Sequence, residues 1–146
     1  MQVRKFQAKD FETYQSWFSD ELLNRHLGPA PDDEWLNHVL TDTEGIQYAF
    51  FEKDELVGVI GIVFPDKAHP NYYITDIAVR PILRKKGIGA KMLMLLQNLH
   101  PSQPQQVYIA FVDIKNKNAQ LFFKKLGWHL VTELPDKDEM LTFKSK

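Results

Sequence analysis

The segment from Arg84 to Gly89 reads Arg-Lys-Lys-Gly-Ile-Gly and stands between a strand-like apolar run, Ile74 to Val79, and a run with helical periodicity, Ile88 to Leu99. The first turn of a helix leaves backbone N–H groups unpaired and carries partial positive charge, so three cations there favour an intervening anion. Gly87 and Gly89 remove side chains that would keep a phosphate off the backbone. The loop therefore predicts a phosphate cradle, and the alternative is a strand-to-helix turn with a solvated basic patch.

Two common nucleotide-binding motifs are absent from the sequence. The pattern GxxxxGK(S/T) occurs nowhere, and GxGxxG fails because Met92 stands where the third glycine should be. Neither ATP nor NAD is favoured as the ligand.

A phosphate loop of the form (R/Q)xxGxG, from Arg84 to Gly89, follows the strand end Ile77-Ala78-Val79-Arg80-Pro81 and resembles the acyl-CoA loop of the GNAT superfamily of N-acetyltransferases. Further along, the segment from Asn116 to Trp128, NKNAQLFFKKLGW, resembles the NxxAxxLYxKxGF segment of that superfamily. The two motifs occur in the order and spacing of the family. The resemblance covers nearly the whole chain.

The resemblance implies transfer of an acetyl group from acetyl-CoA to an amine by direct attack. Backbone amides from Lys85 to Ala90 would hold the cofactor phosphates, the backbone of Ile77 and Val79 would pair with the pantetheine arm, and an amide near Val79 would stabilise the oxyanion. The residues expected at the cofactor are Ile77, Ala78, Val79, Arg84, Lys85, Lys86, Gly87, Ile88, Gly89, Ala90, Asn116 and Phe123. Asn116 has an alternative role as the cap of the following helix.

Phe123 departs from the family pattern, because it stands where the family has a tyrosine that protonates the leaving thiolate. A nearby hydroxyl, Tyr108 or Tyr73, could replace it, or solvent could protonate the thiolate, which leaves readily. Alternatively, the chain is a non-catalytic domain that binds or senses acyl-CoA. Loss of general-acid help typically costs about 10²–10⁴ in rate, so the leading interpretation remains an enzyme.

Asp76 is the candidate general base because it lies in the strand that leads into the cofactor loop. Strand alternation would place Asp76 on one face with Ile74 and Ala78, unless a bulge exchanges the faces. Asp113 and Glu52 are the less favoured alternatives.

The acceptor is expected to be a primary amine of a small molecule, with a peptide or protein amine as the subordinate version. By the resemblance, the segment from Trp17 to Trp35 walls the acceptor pocket. Polar and basic groups at Asn24 to Leu27 would suit an anionic or hydrogen-bonding acceptor, whereas the acids from Asp32 to Glu34 would attract a cation or simply start a helix.

Composition indicates one soluble domain over residues 1–146, with 44% apolar and 25% charged residues. The formal net charge of −1 argues against nucleic acid or a membrane surface as a partner. The chain has no cysteine, and its five histidines lack metal-ligand spacing, so neither an acyl-cysteine nor a metal is expected. Without an apolar leader, a cytoplasmic location is the default. A monomer is expected, or a homodimer paired through an exposed last strand at Met140 to Phe143.

These groups must be positioned by alternating strands and helices. Hydrophobic periodicity predicts the order β-α-α-β-β-β-α-β-α-β-β. With the resemblance, it predicts an α/β GNAT-like acyl-CoA N-acyltransferase fold, in which a mixed, mostly antiparallel sheet of about seven strands is flanked by about four helices. Two parallel strands, Ile74 to Val79 and Val107 to Asp113, would splay apart to admit the pantetheine arm.

Overall fold

The computed structural model describes residues 1–145, and Lys146, the last residue of the predicted domain, lies outside them. Within that range seven strands and five α-helices alternate. The strands are β1 (Gln2–Lys5), β2 (Gly45–Glu52), β3 (Glu55–Val63), β4 (Tyr72–Val79), β5 (Tyr108–Asp113), β6 (His129–Leu130) and β7 (Met140–Lys144). The helices are α1 (Phe11–Ser16), α2 (Glu21–Leu27), α3 (Asp33–Thr41), α4 (Ile88–Leu99) and α5 (Lys117–Lys125).

The strands form one sheet in the order β1-β2-β3-β4-β5-β7-β6. β4 and β5 are parallel, and the other neighbouring pairs are antiparallel. The predicted mixed, mostly antiparallel sheet is confirmed. The expectation of an exposed last strand is wrong, because β7 is bonded to β5 on one side and to the short edge strand β6 on the other.

Three helices, rather than the predicted two, connect β1 to β2. The additional helix is α2, and Asn24 to Leu27 form its second half. The helix begins where Asp20 accepts a hydrogen bond from the Leu23 N–H at 2.9 Å, and Asp32 caps α3 in the same way. Good capping therefore adds a short helix that periodicity alone does not reveal.

Each face of the sheet carries its own apolar core. Helices α4 and α5 cover one face with a cluster that includes Met92, Leu96 and Phe123, whereas α1 to α3 cover the other with a cluster that includes Phe6 and Tyr14. Side chains of one strand therefore contribute to two separate cores, as the period of two requires.

A β-bulge in β4 decides which residues face which core. Gly61 of β3 pairs with Asp76, but the next residue, Ile62, pairs with Ile74, so Thr75 is an extra residue. As a result Ile74 packs into the core under α4 and α5, while Ala78 packs into the core under α1 to α3. The simple alternation that grouped Ile74 with Ala78 is wrong, and the bulge is the reason.

The parallel strands β4 and β5 pair only at one end. Their register runs from Tyr72 opposite Tyr108 to Ile74 opposite Ala110 and stops there. Beyond Ile74 the β5 side of β4 has no strand partner in the described chain. The predicted gap between these strands therefore begins at the bulge.

Candidate active site

The loop before α4 presents a row of unpaired backbone donors. Lys85 and Gly87 both have positive φ, at 62° and 77°, and Gly87 is the N-cap residue. The first helical hydrogen bond there runs from the Lys91 N–H to the Gly87 carbonyl at 3.2 Å. Within residues 1–145, the six N–H groups from Lys85 to Ala90 have no protein acceptor. Such a row at a helix N-terminus is suited to an anion.

The two loop glycines have different surroundings. A Cβ built on Gly87 would meet no described protein atom within 4 Å, whereas one on Gly89 would lie 3.1 Å from the Phe122 ring. Gly89 therefore permits α4 to pack closely against α5. Gly87 leaves open space in front of the amides, where a phosphate would approach.

Arg84 forms an ion pair with the residue that caps α2. Its guanidinium bonds the Asp20 carboxylate at 2.5 Å, and Asp20 also caps α2. The hydrogen bond from Arg84 is the main cause of the lowered pKa of Asp20. Lys85 and Lys86 are exposed at the loop surface. The predicted phosphate contact of Arg84 would compete with this ion pair.

Backbone groups of β4 face the gap in alternation. The Arg80 N–H donates to the Val57 carbonyl at 2.8 Å, which sets the phase of the antiparallel pairing between β3 and β4. By that phase Ala78 exchanges hydrogen bonds with Val59, and the N–H and C=O groups of Ile77 and Val79 point away from β3 into the gap. The geometry is suited to the pantetheine and oxyanion contacts predicted for Ile77 and Val79, but the Ala78 backbone is occupied.

A polar row crosses three strands at the mouth of the gap. Gln47, Gly61 and Asp76 are opposite one another on β2, β3 and β4. Because Gly61 has no side chain, Gln47 Nε2 reaches over it and donates to Asp76 Oδ2 at 2.8 Å, while Thr75 Oγ1 donates to Oδ1 at 2.9 Å. A Cβ on Gly61 would collide with oxygens of all three side chains.

Asp76 is the carboxylate with the environment of a base. Burial raises its pKa, and the hydrogen bonds from Gln47 and Thr75 offset that effect only in part. A raised pKa makes a carboxylate a stronger proton acceptor near neutral pH.

Asp76 lies in the lining of a cavity of about 380 Å³ between the sheet and the helices α1 to α3. Apolar and aromatic side chains dominate the lining, among them Tyr14, Phe18, Leu27 and Trp35. The predicted acceptor wall, Trp17 to Trp35, thus contributes side chains to a cavity that contains the candidate base.

Other residues singled out in the sequence lie away from this site. Tyr108 is fully buried at the paired end of β4 and β5, where its hydroxyl donates to the His100 carbonyl at 2.6 Å. Phe123 is only 1% exposed, and its ring packs against Trp128 and Phe143. Neither side chain is therefore placed to contact a ligand in the gap.

The remaining candidates have local structural roles. Asn116 caps α5 by accepting from the Ala119 N–H at 3.1 Å. The Tyr73 ring stacks on Phe111, and Asp113 accepts from the Lys115 N–H at 2.8 Å. The Glu52 carboxylate lies 3.7 Å from the N-terminal amine.

Sequence reasoning missed Tyr14, Gln47 and Gly61. Tyr14 has helical spacing typical of a core residue, which conceals that it lines the cavity. A sequence signal existed for Gln47, since it interrupts the apolar and aromatic run from Ile46 to Phe51, and the structure leaves it only 5% exposed. Buried polar side chains require partners, so its position indicates a polar neighbour across the sheet.

Residues 1–145 lack two features that characterise other classes of protein. No cluster of histidine, aspartate or glutamate there could hold a metal ion. None of the helices in that range has the length and apolar character needed to cross a membrane.

Comparison with known proteins places this geometry in a family. The model of the GNAT acetyltransferase family matches residues 10–128. Solved structures with the same fold include an acetyltransferase from Thermus thermophilus, with a TM-score of 0.80 and 16% identity over 98% of this chain and 94% of that one.

Two other structures carry more specific names. An aminoglycoside 6′-N-acetyltransferase complexed with coenzyme A has a TM-score of 0.70 and 17% identity over 99% of this chain and 96% of that one. The ribosomal-protein-S18-alanine N-acetyltransferase from Escherichia coli has a TM-score of 0.67 and 12% identity over 99% and 92%. At such identities the likeness concerns the fold alone. No curated protein matches the sequence significantly. Since the family model spans most of the chain, this protein belongs to the GNAT family of acetyltransferases.

Proposed function

We propose that the protein transfers an acetyl group from acetyl-CoA to a primary amine. The observation that carries the proposal is the arrangement around one gap: six unpaired amides lie at the start of α4, and the Asp76 carboxylate lies on β4 just past the last pair with β5. Acetyl-CoA supplies a thioester carbonyl carbon that an amine nitrogen can attack.

Different residues of the chain bind the cofactor, remove the proton and stabilise the oxyanion. The amides from Lys85 to Ala90, with Lys85 and Lys86, bind the phosphates, and the β4 edge orients the pantetheine arm. Asp76 removes one proton from the acceptor ammonium, so that the neutral nitrogen can form its bond to the carbonyl carbon. The Val79 N–H stabilises the negative oxygen that develops.

The remaining bonds and protons balance without an enzyme-bound acyl group. As the carbon–nitrogen bond forms, the carbon–sulfur bond breaks and the electron pair leaves with sulfur. A second proton from the nitrogen passes through solvent to the thiolate, since Phe123 cannot donate one. The products are an amide and free CoA, with one proton released from Asp76 to solvent.

The test is thiol release from acetyl-CoA with a chromogenic thiol reagent, across amines, polyamines, amino acids, aminoglycosides and short peptides. The protein has no cysteine and gives no thiol signal of its own. Release that depends on one acceptor class is the expected result. Absence of release from every acceptor would overturn the proposal.

One observation favours a second candidate function, an acyl-CoA-binding domain without turnover. The position of the family's tyrosine holds Phe123, whose ring is enclosed in the core. Tight binding of CoA by calorimetry, without release from any acceptor, would support that function.

A further inference from the structure

We propose that the acceptor is a small primary amine with a single positive charge and an apolar body, held between the Tyr14 hydroxyl and the Asp76 carboxylate. This inference rests on the proposed transferase function and goes beyond it by naming the substrate class and Tyr14 as an acceptor-binding residue. Three features of the cavity carry it.

The first feature is an unsatisfied hydroxyl. Tyr14 is 3% exposed as a residue and lines the cavity, and its hydroxyl makes no hydrogen bond to the described residues 1–145. No buried side-chain polar atom in that range lacks a partner, so the Tyr14 hydroxyl is accessible from the cavity, where it is free to bond a ligand. Burial and the charge of Asp76 raise the pKa of Tyr14, so the hydroxyl keeps its proton. Both groups line the same cavity, and no hydrogen bond joins them, so a donor in the cavity has both as available partners.

The second feature is an uncompensated charge. Asp76 receives hydrogen bonds only from neutral groups, Gln47 and Thr75, and makes no ion pair in the described chain. These two bonds leave about half of its lone-pair sites free. Asp76 is partly buried, and a carboxylate that is partly removed from water without a cation is unfavourable, so an ammonium ligand would compensate its charge.

The third feature is the rest of the lining. It contains a second carboxylate, Asp42, whose Oδ2 lies 4.0 Å from Nε2 of His38, and no lysine or arginine, so its permanent charges are negative and disfavour an anionic acceptor. Its other walls are mainly apolar, from residues such as Phe18, Leu27 and Val39. The volume of about 380 Å³ is near the lower end of small-molecule sites, roughly 300–1,000 Å³. A small apolar body with one ammonium meets all three conditions.

The first test compares acceptors that share a body but differ in charge. Phenethylamine carries only an ammonium, whereas phenylalanine adds a carboxylate. We expect kcat/KM for phenethylamine to exceed that for phenylalanine at least about 100-fold, because the additional carboxylate of phenylalanine is repelled by Asp76 and Asp42. Equal rates, or preference for an aminoglycoside or peptide, would overturn the substrate class while leaving the transferase function intact. Absence of release from every acceptor would overturn both.

The second test removes the hydroxyl. In Tyr14→Phe we expect KM for the amine to rise about 3- to 10-fold, with KM for acetyl-CoA unchanged. Loss of an unpartnered hydroxyl should not lower the melting temperature, so the variant is expected to fold. Tyr72→Phe is the matched control, since its ring stacks on Tyr108 outside the cavity lining. An unchanged amine KM in Tyr14→Phe would overturn the role of Tyr14.

Discussion

Asp76 shows how one residue acquires its chemistry from neighbours on other strands. Gly61 supplies the space above β3, and Gln47 supplies the hydrogen bond that fixes the carboxylate. Helix α1 brings Tyr14 over the same site. A carboxylate on an open strand would be solvated, whereas this one has a raised pKa because it is buried.

Asp76→Asn should lower kcat by about 10²–10⁴, the usual contribution of a general base. Because the base works only when deprotonated, the rate of the parent protein should fall as pH drops through the raised pKa of Asp76. The variant should lack that acidic limb in a pH–rate profile. The exposed Glu12→Gln is the control. An unchanged profile in Asp76→Asn would remove Asp76 as the base.

Asp76→Asn is expected to lower the rate but not the stability of the protein near neutral pH. A carboxyl whose pKa is raised by folding binds its proton more tightly in the native state, so the free energy of unfolding increases as pH falls through that raised value. Asp76→Asn should weaken this pH dependence and leave stability at pH 8 unchanged or higher by up to about 1 kcal/mol. Urea titrations at pH 5 and pH 8 measure the free energy of unfolding of the parent and the variant. A clear loss of stability in the variant at pH 8 would contradict this prediction.

Phe123→Tyr tests whether the missing acid can be restored. The new hydroxyl would enter a core position that is 1% exposed, so we expect a stability loss of about 1–3 kcal/mol and no gain in turnover. Phe111→Tyr is the control, because that ring is 46% exposed. Faster thiol release by Phe123→Tyr would show that the position does reach the leaving group.

At the scale of elements, Asn116 is both the first residue of the NKNAQLFFKKLGW motif and the N-cap of α5. In Asn116→Ala the helix loses its cap, and we expect the free energy of unfolding to fall by about 1 kcal/mol, whereas Asn116→Ser keeps a capping oxygen and most of the stability. KM for acetyl-CoA should be unchanged in both variants. A raised KM in the stable Asn116→Ser would instead reveal contact with the pantetheine arm.

Most elements could be predicted because their signals are local. Apolar periodicity located β2 to β5 and α4, and Gly127, with φ at 80°, marks the end of α5. The bulge at Thr75 could not be predicted, because it depends on the pairing of two strands rather than on the residues of one. The reassignment of Ile74 to the other core follows from that pairing.

The backbone part of the candidate site was the most directly predictable, whereas of the polar row across the sheet only Asp76 was named from the sequence. The amide row needs just a glycine loop ahead of a helix, both of which are visible in the sequence. Side-chain partners distant along the chain were not predictable, such as Gln47 with Asp76 or Arg84 with Asp20. The register of β4 against β5 was not predictable either, and it places Tyr108 at the end where the two strands are paired, away from the gap.

At the scale of the whole molecule, the Arg84–Asp20 ion pair links the cofactor loop to α2, and Leu27 of α2 lines the cavity. In the proposed complex with CoA, phosphate and Asp20 would compete for the Arg84 guanidinium. Arg84→Met should therefore raise the Kd of CoA about 3- to 10-fold, and Asp20→Asn, which retains a capping oxygen, should lower it. Calorimetry measures both. Weaker binding in Asp20→Asn would show that the ion pair builds the loop rather than competing with the ligand.

The sheet with separate cores on its two faces has a consequence for the order of events. The amide row lies at the start of α4, on one face, and the cavity lies under α1 to α3, on the other. In the proposed reaction, donor and acceptor would therefore bind on opposite faces of the sheet at the same time, and no acyl-enzyme would be needed. They would meet at the gap where the pairing of β4 with β5 stops.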